Sequence, residues 1–356
     1  MLDTFKRLLK KDIISEQYSL NSSMNELKFA YKRSDGHRLD YLYNRFIWYF
    51  APKMNMLTRF PTHIDIEISN LCQLKCPMCY TTTDYYRSKV EKSLLSFDYF
   101  KKIIDEISHH KVYSIRLSWR GEPLIHPQII EMVTYAKNAG IKEVSFLTNG
   151  GLLKPKLIDD LILNGVDWIT VSVDGLFEIY EEYRKPLKFE ETISSLKLIQ
   201  KRKKELKQNK PVIKVQTIWP AIENNPEEYY MYMKDFVDEI AFNPLKDKRY
   251  YKEFDVNNYN SKYVCPRLWQ RIYVSSSGNI GFCLSDVYEE YIIGNIKDMT
   301  IQEAWSGVAF KTIREKHLNH ERFEYSICRR CQAGMNRSEM SVNIEDRTVK
   351  ATQYNF

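Results

Sequence analysis

The sequence predicts an α/β protein, with a partial (β/α)6 barrel followed by a small C-terminal α+β module. First, six short runs rich in β-branched and aromatic residues alternate with amphipathic helical segments. Second, this alternation stops near Pro244 and gives way to short strands and turns. Third, a length of 356 residues is more than one domain usually needs. The alternation requires crossover helices and a parallel sheet, which places ligand-binding residues at the carboxyl ends of the strands.

The barrel is expected at residues 62–245, after a basic helical extension at 1–61. Its strands are predicted at 63–69, 112–118, 143–147, 168–173, 212–219 and 239–242. Its helices are predicted at 97–109, 127–138, 155–164, 189–207 and 226–236. A polar linker at 246–263 leads to the C-terminal module at 264–356. In that module we expect strands at 272–274 and 280–283 and a helix near 300–316.

Composition excludes several classes of protein. With 44% hydrophobic and 28% charged residues, the chain is neither disordered nor fibrous. It contains neither a run of 18 uncharged apolar residues nor a secretory signal, so we expect a cytoplasmic protein. The net charge of +7 is concentrated early, where Lys6, Arg7, Lys10 and Lys11 alternate with apolar residues. This segment is expected to pack on the main fold or to make weak contact with an anionic membrane surface. We expect no binding of nucleic acid.

The seven cysteines fall into two sets, and an odd number in a cytoplasmic chain argues against a disulfide framework. Cys72, Cys76 and Cys79 have the spacing C-x3-C-x2-C directly after the first predicted strand. A structural zinc ion takes four protein ligands. Three thiolates instead favour a [4Fe–4S] cluster in which one iron keeps an open site for an external ligand.

This three-cysteine loop resembles the signature of the radical S-adenosylmethionine (SAM) superfamily, where it follows the first strand of a partial (β/α)6 TIM-like barrel. The resemblance covers about residues 62–245. It implies that the amino and carboxylate groups of SAM chelate the unique iron. It also implies that reductive cleavage of SAM yields a 5′-deoxyadenosyl radical, with flavodoxin or ferredoxin as the reductant.

The resemblance also suggests residues that bind SAM. Gly121 and Glu122 lie in a Trp-Arg-Gly-Glu-Pro segment similar to the Gly-Gly-Glu motif that holds the methionyl ammonium. Trp119 departs from that motif, because the family usually has a small residue there. Ser172 resembles the serine that binds the ribose. Arg184 resembles the arginine that pairs with the SAM carboxylate, for which a guanidinium fork is suited.

Three further residues are weaker candidates for SAM contacts. Met78 occupies the position in the cysteine loop that usually contacts adenine, and Tyr80 follows the loop. Asn149 ends the third predicted strand. Met78 and Tyr80 could equally be packing residues, and an Asn before Gly150 could simply form a turn.

The second cysteine set lies in the C-terminal module and consists of Cys265, Cys283, Cys328 and Cys331. Its first part, with Gly278 at a hairpin turn, resembles the C-x(9–15)-G-x4-C element of the SPASM/Twitch extensions of radical SAM enzymes. The single C-x2-C pair that follows is similar to the Twitch type. This implies one auxiliary [4Fe–4S] cluster with four protein ligands, so the protein would hold two [4Fe–4S] clusters. A structural zinc ion is the alternative.

The two sets use all seven cysteines, which leaves no free thiol to return a hydrogen atom to a substrate radical. A radical on a hydroxyl-bearing carbon can instead lose a proton and pass an electron to a fully ligated cluster. The architecture resembles enzymes of the 2-deoxy-scyllo-inosamine dehydrogenase type. We therefore expect an enzyme, a radical SAM oxidoreductase that acts on a sugar, cyclitol or other polyol-type small molecule.

Two alternatives stay open at this point. A radical SAM maturase would modify a ribosomally synthesised peptide or protein, although residues 1–61 look helical and basic rather than like a leader-recognition domain. A non-enzymatic scaffold for an iron–sulfur cluster or zinc is the other alternative. The group that takes the hydroxyl proton is not assigned, and Asp174, Tyr183 and Glu223 are candidates.

Overall fold

A computed structural model describes residues 17–246, 248–249 and 253–354. Within them, the strands are β1 (Tyr18–Ser19), β2 (His63–Ile66), β3 (Ser114–Arg116), β4 (Glu143–Thr148), β5 (Trp168–Ser172), β6 (Val212–Ile218), β7 (Glu239–Asn243), β8 (Arg271–Val274), β9 (Asn279–Gly281), β10 (Ile292–Asn295), β11 (Arg337–Ile344) and β12 (Arg347–Tyr354). Ten of them form one sheet in the order β1-β7-β6-β5-β4-β3-β2-β8-β9-β10, and β11 pairs with β12.

The α-helices of the described residues lie between and beside these strands. They are α1 (Ser23–Arg33), α2 (Arg38–Lys53), α3 (Asp84–Lys89), α4 (Phe97–His109), α5 (Ile129–Asn138), α6 (Pro155–Leu163), α7 (Phe177–Tyr183), α8 (Phe189–Glu205), α9 (Pro226–Met233), α10 (Ile301–Ser306), α11 (Val308–Leu318) and α12 (Ser326–Arg329). The five helices predicted for the barrel correspond to α4, α5, α6, α8 and α9.

The six strands β2 to β7 pair in parallel with their sequence neighbours, which confirms the predicted partial barrel. Their central side chains form the core, and Ile64, Ile115, Val144, Val171 and Val215 have no exposed surface. Strands buried on both faces need continuous apolar runs, which is why these segments could be recognised in the sequence.

The two N-terminal helices cover the amino-terminal end of this barrel. The Asn44 side chain on α2 donates to the carbonyl of Thr62, just before β2. On α1, Arg33 forms a salt bridge with Glu143, the first residue of β4. The basic segment around Lys6, Arg7, Lys10 and Lys11 lies outside the described residues.

The C-terminal part is joined to the barrel more closely than the change in sequence pattern suggested. Strand β8 pairs in parallel with β2, so β8, β9 and β10 extend the barrel sheet instead of forming a sheet of their own. The predicted single helix near 300–316 is wrong in one respect, because it is divided at Gly307 into α10 and α11. Gly307 has an extended ψ of 164°, and a Cβ there would lie 2.5 Å from the Glu303 carbonyl oxygen.

Among the described helices, none is both long and apolar enough to cross a lipid bilayer.

Candidate active site

The first cysteine set lies at the carboxyl end of β2, in the loop that follows it. Cys76 is buried, Cys79 is half-buried and Cys72 is exposed. The loop turns back at Cys79, whose backbone N–H donates to the Cys76 carbonyl over 3.0 Å. Thiols on a short loop at this end of a parallel sheet face the region where such folds bind ligands.

Gly121 allows the cysteine loop to pass directly over the end of β3. A Cβ at this position would lie 2.5 Å from both the Asn70 carbonyl carbon and the Leu71 carbonyl oxygen. The next residue, Glu122, donates its backbone N–H to the same Leu71 oxygen over 2.7 Å. Because these contacts involve backbone atoms, a side chain at position 121 would displace the loop that leads to Cys72.

The Glu122 carboxylate is buried at the centre of the site, with 2% of the residue exposed. It accepts hydrogen bonds from the Thr148 hydroxyl at 2.7 Å and from the backbone N–H groups of Asn149 at 2.8 Å and Leu124 at 3.1 Å. It makes no ion pair with any of the described residues. Burial raises the pKa of Glu122 to about 7, although the hydrogen bonds oppose the rise. A cation bound here would compensate the buried negative charge.

Asn149 connects Glu122 to the cysteine loop. Its side-chain amide lies 3.7 Å from the Cys72 sulfur and also hydrogen-bonds to Gln73. The side-chain Oδ1 of Asn149 accepts the backbone N–H of Gly151 over 2.9 Å, which is the turn expected from the sequence. Asn149 therefore forms a turn and also touches a cysteine of the first set.

Arg184 lies between Asp174 and the first cysteine set. Its Nε and Nη2 atoms are each 2.6 Å from one oxygen of Asp174, which follows β5. Burial raises the pKa of the Cys76 thiol, and the charge of the adjacent Arg184 opposes this rise. Asp174 is thus engaged in orienting Arg184, which makes it a poor candidate for a proton acceptor. Ser172, at the end of β5, is 5% exposed.

Met78 lies within the first cysteine loop, and Tyr80 follows it next to the linker before the C-terminal part. Both are half-buried. The Lys248 ammonium lies 5.9 Å from the centre of the Tyr80 ring, and Arg249 donates to the carbonyl of Pro77 over 2.8 Å. Two residues of the linker therefore cover the first cysteine loop.

The second cysteine set converges on one cavity. Cys265, Cys283, Cys328 and Cys331 line it together with His317, which lies 3.6 Å from the Cys328 sulfur. Burial, together with the charges of the nearby Cys331 and Cys265 thiolates, raises the pKa of Cys283 to about 12. Four thiolates cannot remain ionised together in this cavity without a metal centre to compensate their charge. In the described part of the chain, no three His, Cys, Asp or Glu side chains are grouped around a single-ion site.

A turn and two strands bring these distant cysteines together. Gly278, with a φ of +85°, makes the turn between β8 and β9 that the sequence predicted. Cys265 precedes β8 and Cys283 follows β9, so the hairpin places them side by side. Cys328 lies on α12, and Cys331 follows it with its N–H directed at the Cys328 carbonyl.

A buried ionic network at the barrel end was not foreseen from the sequence. Arg120 donates to both oxygens of Glu67, at 2.8 and 2.6 Å, and also to Glu289 at 2.9 Å. The side chains of Arg120 and Glu67 are fully buried. Buried ion pairs are stable only when all their partners are present, so this network fixes the C-terminal part against the barrel. The only sign of this network in the sequence is that Glu67 and Arg120 are charged residues next to the apolar strands.

Contacts with the C-terminal part explain how Trp119 fits where a small residue was expected. Its indole N–H donates to the Leu284 carbonyl over 2.9 Å, and its ring lies 4.3 Å from the ring of Tyr273. The Trp119 side chain thus packs beside the residue that follows Cys283. Lys248 lies between the two sets as well: burial lowers its pKa to about 8, opposed by the charges of Cys283 and Cys331.

Comparison with known proteins agrees with this arrangement. Residues 66–223 match the model of the Radical SAM superfamily, and residues 265–332 match that of SPASM, an iron-sulfur cluster-binding domain. The AdoMet-dependent heme synthase of Methanosarcina barkeri is 33% identical over 150 residues, which are 42% of this chain and 42% of the synthase. The chain thus spans less than half the length of this synthase and of other curated relatives that it matches.

Two solved structures illustrate the shared fold. BtrN in complex with AdoMet and 2-DOIA is 16% identical with a TM-score of 0.55, over 78% of this chain and 94% of BtrN. SuiB of Streptococcus suis, bound to the precursor peptide SuiA, is 14% identical with a TM-score of 0.53, over 88% of this chain and 77% of SuiB. At these identities the likeness concerns the fold alone. The two matches and the parallel barrel together identify a Radical SAM domain at residues 66–223 and a SPASM domain at residues 265–332.

Proposed function

We propose that the chain is a radical SAM oxidoreductase that oxidises a hydroxyl-bearing carbon of a sugar, cyclitol or other polyol. The observation that carries the proposal is the cavity lined by all four cysteines of the second set. A cluster ligated by four protein thiolates has no vacant iron for a substrate, so it suits an electron acceptor. The net change in the substrate is the loss of a hydrogen atom from carbon, a proton from the hydroxyl and one electron.

The proposed cofactor site uses residues at the carboxyl ends of successive strands. When bound, SAM and the first cluster would supply a carbon radical able to remove a substrate hydrogen. Cys72, Cys76 and Cys79 would ligate the first cluster. Glu122 would hold the ammonium of SAM, because its buried carboxylate accepts three hydrogen bonds but makes no ion pair in the described part of the chain. Arg184, oriented by Asp174, would pair with the carboxylate of SAM.

The remaining proposed contacts surround the same space. Asn149 touches Cys72, and Ser172 lies at the end of β5, two residues before the Asp174 that orients Arg184. Met78 and Tyr80 would contact the nucleoside from the cysteine loop. The proton acceptor stays unassigned: Tyr183 has a pKa raised by burial, and Glu223 is exposed.

The test is an anaerobic assay of the reconstituted full-length protein with SAM and a chemical reductant. We expect 5′-deoxyadenosine to form. With a panel of sugars and cyclitols, we expect a product lighter than its substrate by two hydrogens. Failure to form 5′-deoxyadenosine would support a non-enzymatic scaffold instead.

A peptide substrate is the second candidate. It is supported by the shared fold with SuiB, whose structure contains a precursor peptide and aligns with 88% of this chain. The same assay with candidate precursor peptides separates the two. If the assay gives a crosslinked peptide and no polyol is turned over, the protein is a peptide maturase and the proposed oxidation of a polyol is wrong.

A further inference from the structure

The two N-terminal helices carry an unusual share of the exposed apolar side chains. Of the 21 large apolar side chains that are exposed in the described residues, eleven fall between residues 24 and 57. On α2 they recur every three or four residues, at Leu39, Leu42, Tyr43, Phe46 and Phe50. This spacing places them on one face of the helix. Large apolar patches of this kind mark interaction surfaces.

The stripe continues on both sides of α2. Helix α1 exposes Met24, Leu27 and Tyr31, which also share one face. The turn that follows α2 exposes Met54, Met56 and Leu57. We call the exposed apolar side chains of residues 24–57 the N-terminal patch.

The opposite faces of the same two helices pack against the barrel. The Trp48 ring of α2 packs edge-on against His63 at 6.0 Å, and the Trp48 carbonyl accepts the Gln270 amide. The Phe29 ring of α1 packs edge-on against Trp168 at 6.0 Å. Packing against the barrel therefore accounts for the inner faces and leaves the N-terminal patch directed outward.

The charge around the patch indicates what kind of surface it fits. Residues 23–59 contain seven Lys/Arg and three Asp/Glu. The exposed cations are Lys28, Lys32, Arg38, Lys53 and Arg59, whereas Asp40 is the one carboxylate classed as exposed in this range. Pairing with a second copy would bring like charges together. An anionic lipid surface offers opposite charge to the cations and an apolar layer to the leucines and aromatic rings.

We propose that the N-terminal patch binds an anionic membrane surface, with α2 lying in the interfacial plane. The same charge sign is carried by Lys6, Arg7, Lys10 and Lys11, which would add to the attraction. The patch covers the amino-terminal end of the barrel, while the first cysteine set lies at the carboxyl ends of the strands. The bound protein would thus keep its candidate active site turned towards the aqueous phase, and a water-borne substrate could reach it.

The experiment measures co-sedimentation of the full-length protein with vesicles of phosphatidylglycerol and phosphatidylcholine, or of phosphatidylcholine alone. Leu39→Glu/Leu42→Glu is the test variant, at side chains 83% and 62% exposed. Val308→Glu/Leu163→Glu is the matched control, at positions 80% and 61% exposed but outside the patch. Thermal unfolding of each variant establishes that it is folded.

We expect binding to the anionic vesicles that weakens with added salt and is at least about tenfold stronger than to neutral vesicles. The test variant should lose about tenfold or more in partitioning, and the control should match the wild type. Equal binding by both variants, or no binding by the wild type, would overturn the proposal. Concentration-dependent dimerisation that only the test variant loses would also overturn it, because the patch would then join two copies.

Hydrogen exchange in the free protein gives a last check. Patch amides that are already protected, and whose exchange vesicles do not change, would also overturn the proposal, because another segment of the chain would then cover the patch.

Discussion

At the residue scale, burial is the largest influence on the ionisation of the Glu122 carboxyl group. The carboxyl group accepts three hydrogen bonds but has no ion pair in the described part of the chain, and its pKa is raised to about 7. A bound ammonium group would favour the ionised form and lower this pKa. Binding of SAM below pH 7 should therefore release a proton from Glu122.

We expect the affinity for SAM to weaken as the pH falls below about 7, by up to roughly tenfold for each pH unit. Glu122→Gln should bind SAM weakly and show no such dependence, because a neutral amide cannot titrate. Isothermal titration calorimetry in buffers of different ionisation enthalpy measures both the affinity and the proton release. A wild-type affinity that stays constant between about pH 5.5 and 8 would contradict this role.

The same group affects the stability of the ligand-free protein in a defined direction. Its folded pKa is raised, so its favourable contribution is complete below the ordinary value of 4.5 and is lost as the pH rises through about 7. Relative to Glu122→Gln, the wild type should lose about 3 kcal/mol of unfolding free energy across this window. Chemical denaturation of both proteins at several pH values measures the difference.

A further prediction at this scale concerns Gly121 and the position of the cysteine loop. Gly121→Ala would place a Cβ against the backbone of Asn70 and Leu71, so the cysteine loop would have to move. We expect at least about tenfold less 5′-deoxyadenosine formation, since misplacing a reacting group by about 1 Å can cost roughly a hundredfold in rate. The control is Gly140→Ala, where the added Cβ meets open space but φ is +92°. It should lower stability by about 1–2 kcal/mol and leave SAM cleavage intact. Full activity of Gly121→Ala would show that the loop tolerates the shift.

At the scale of elements, the pairing of β2 with β8 depends on Asp65. This buried carboxylate accepts from Arg271 on β8 at 2.6 Å and pairs with Arg116 on β3 at 2.8 Å. Burial by itself would raise the pKa of Asp65, but the two guanidinium groups hold it well below its usual range. One side chain thus connects three adjacent strands, including the strand that leads to the second cysteine set.

Asp65→Asn should destabilise the protein by about 3 kcal/mol, because it leaves two half-buried guanidinium groups without their fully buried counterion. Asp98→Asn is the control, since the Asp98 side chain is 89% exposed and its pair with Lys101 should be worth less than about 1 kcal/mol. The stabilising contribution of Asp65 is present above its ordinary pKa of 3.8 and is lost upon acidification below it. Urea unfolding at neutral pH measures both variants. Equal stabilities for the two would contradict the proposed role.

At the scale of the whole molecule, the two cysteine sets are separate sites joined by a buried interface. The Arg120 network and the Trp119–Tyr273 contact connect the barrel end to the segment around Cys283. The N-terminal helices cover the opposite end of the barrel. Because the two cysteine sets are separate sites, removing a cysteine of one set should leave the other set able to bind its cluster.

The reconstituted wild type should contain about eight iron atoms. Cys76→Ser should lose about half of them and all SAM cleavage. Cys283→Ser should lose a similar amount of iron and keep the cleavage of SAM, but it should no longer oxidise substrate. Iron analysis and quantification of 5′-deoxyadenosine distinguish these outcomes. Loss of SAM cleavage in a folded Cys283→Ser protein would show that the second site is needed for the first.

The sequence by itself determined the barrel and the two cysteine sets. Buried parallel strands must be continuous apolar runs, and metal-binding cysteines on short loops keep a readable spacing, so both are local properties. The sequence also placed Gly278 at its turn, because a left-handed backbone favours glycine.

Only the tertiary structure decided what these segments touch. It joined β8 to β2, paired Arg184 with Asp174, placed Lys248 over Tyr80 and closed the network around Arg120. These partners are far apart in the chain, and no local pattern records a contact that packing alone creates. The outward apolar face of α2 is a further case, since helical periodicity shows that a face is apolar but not whether the fold buries it.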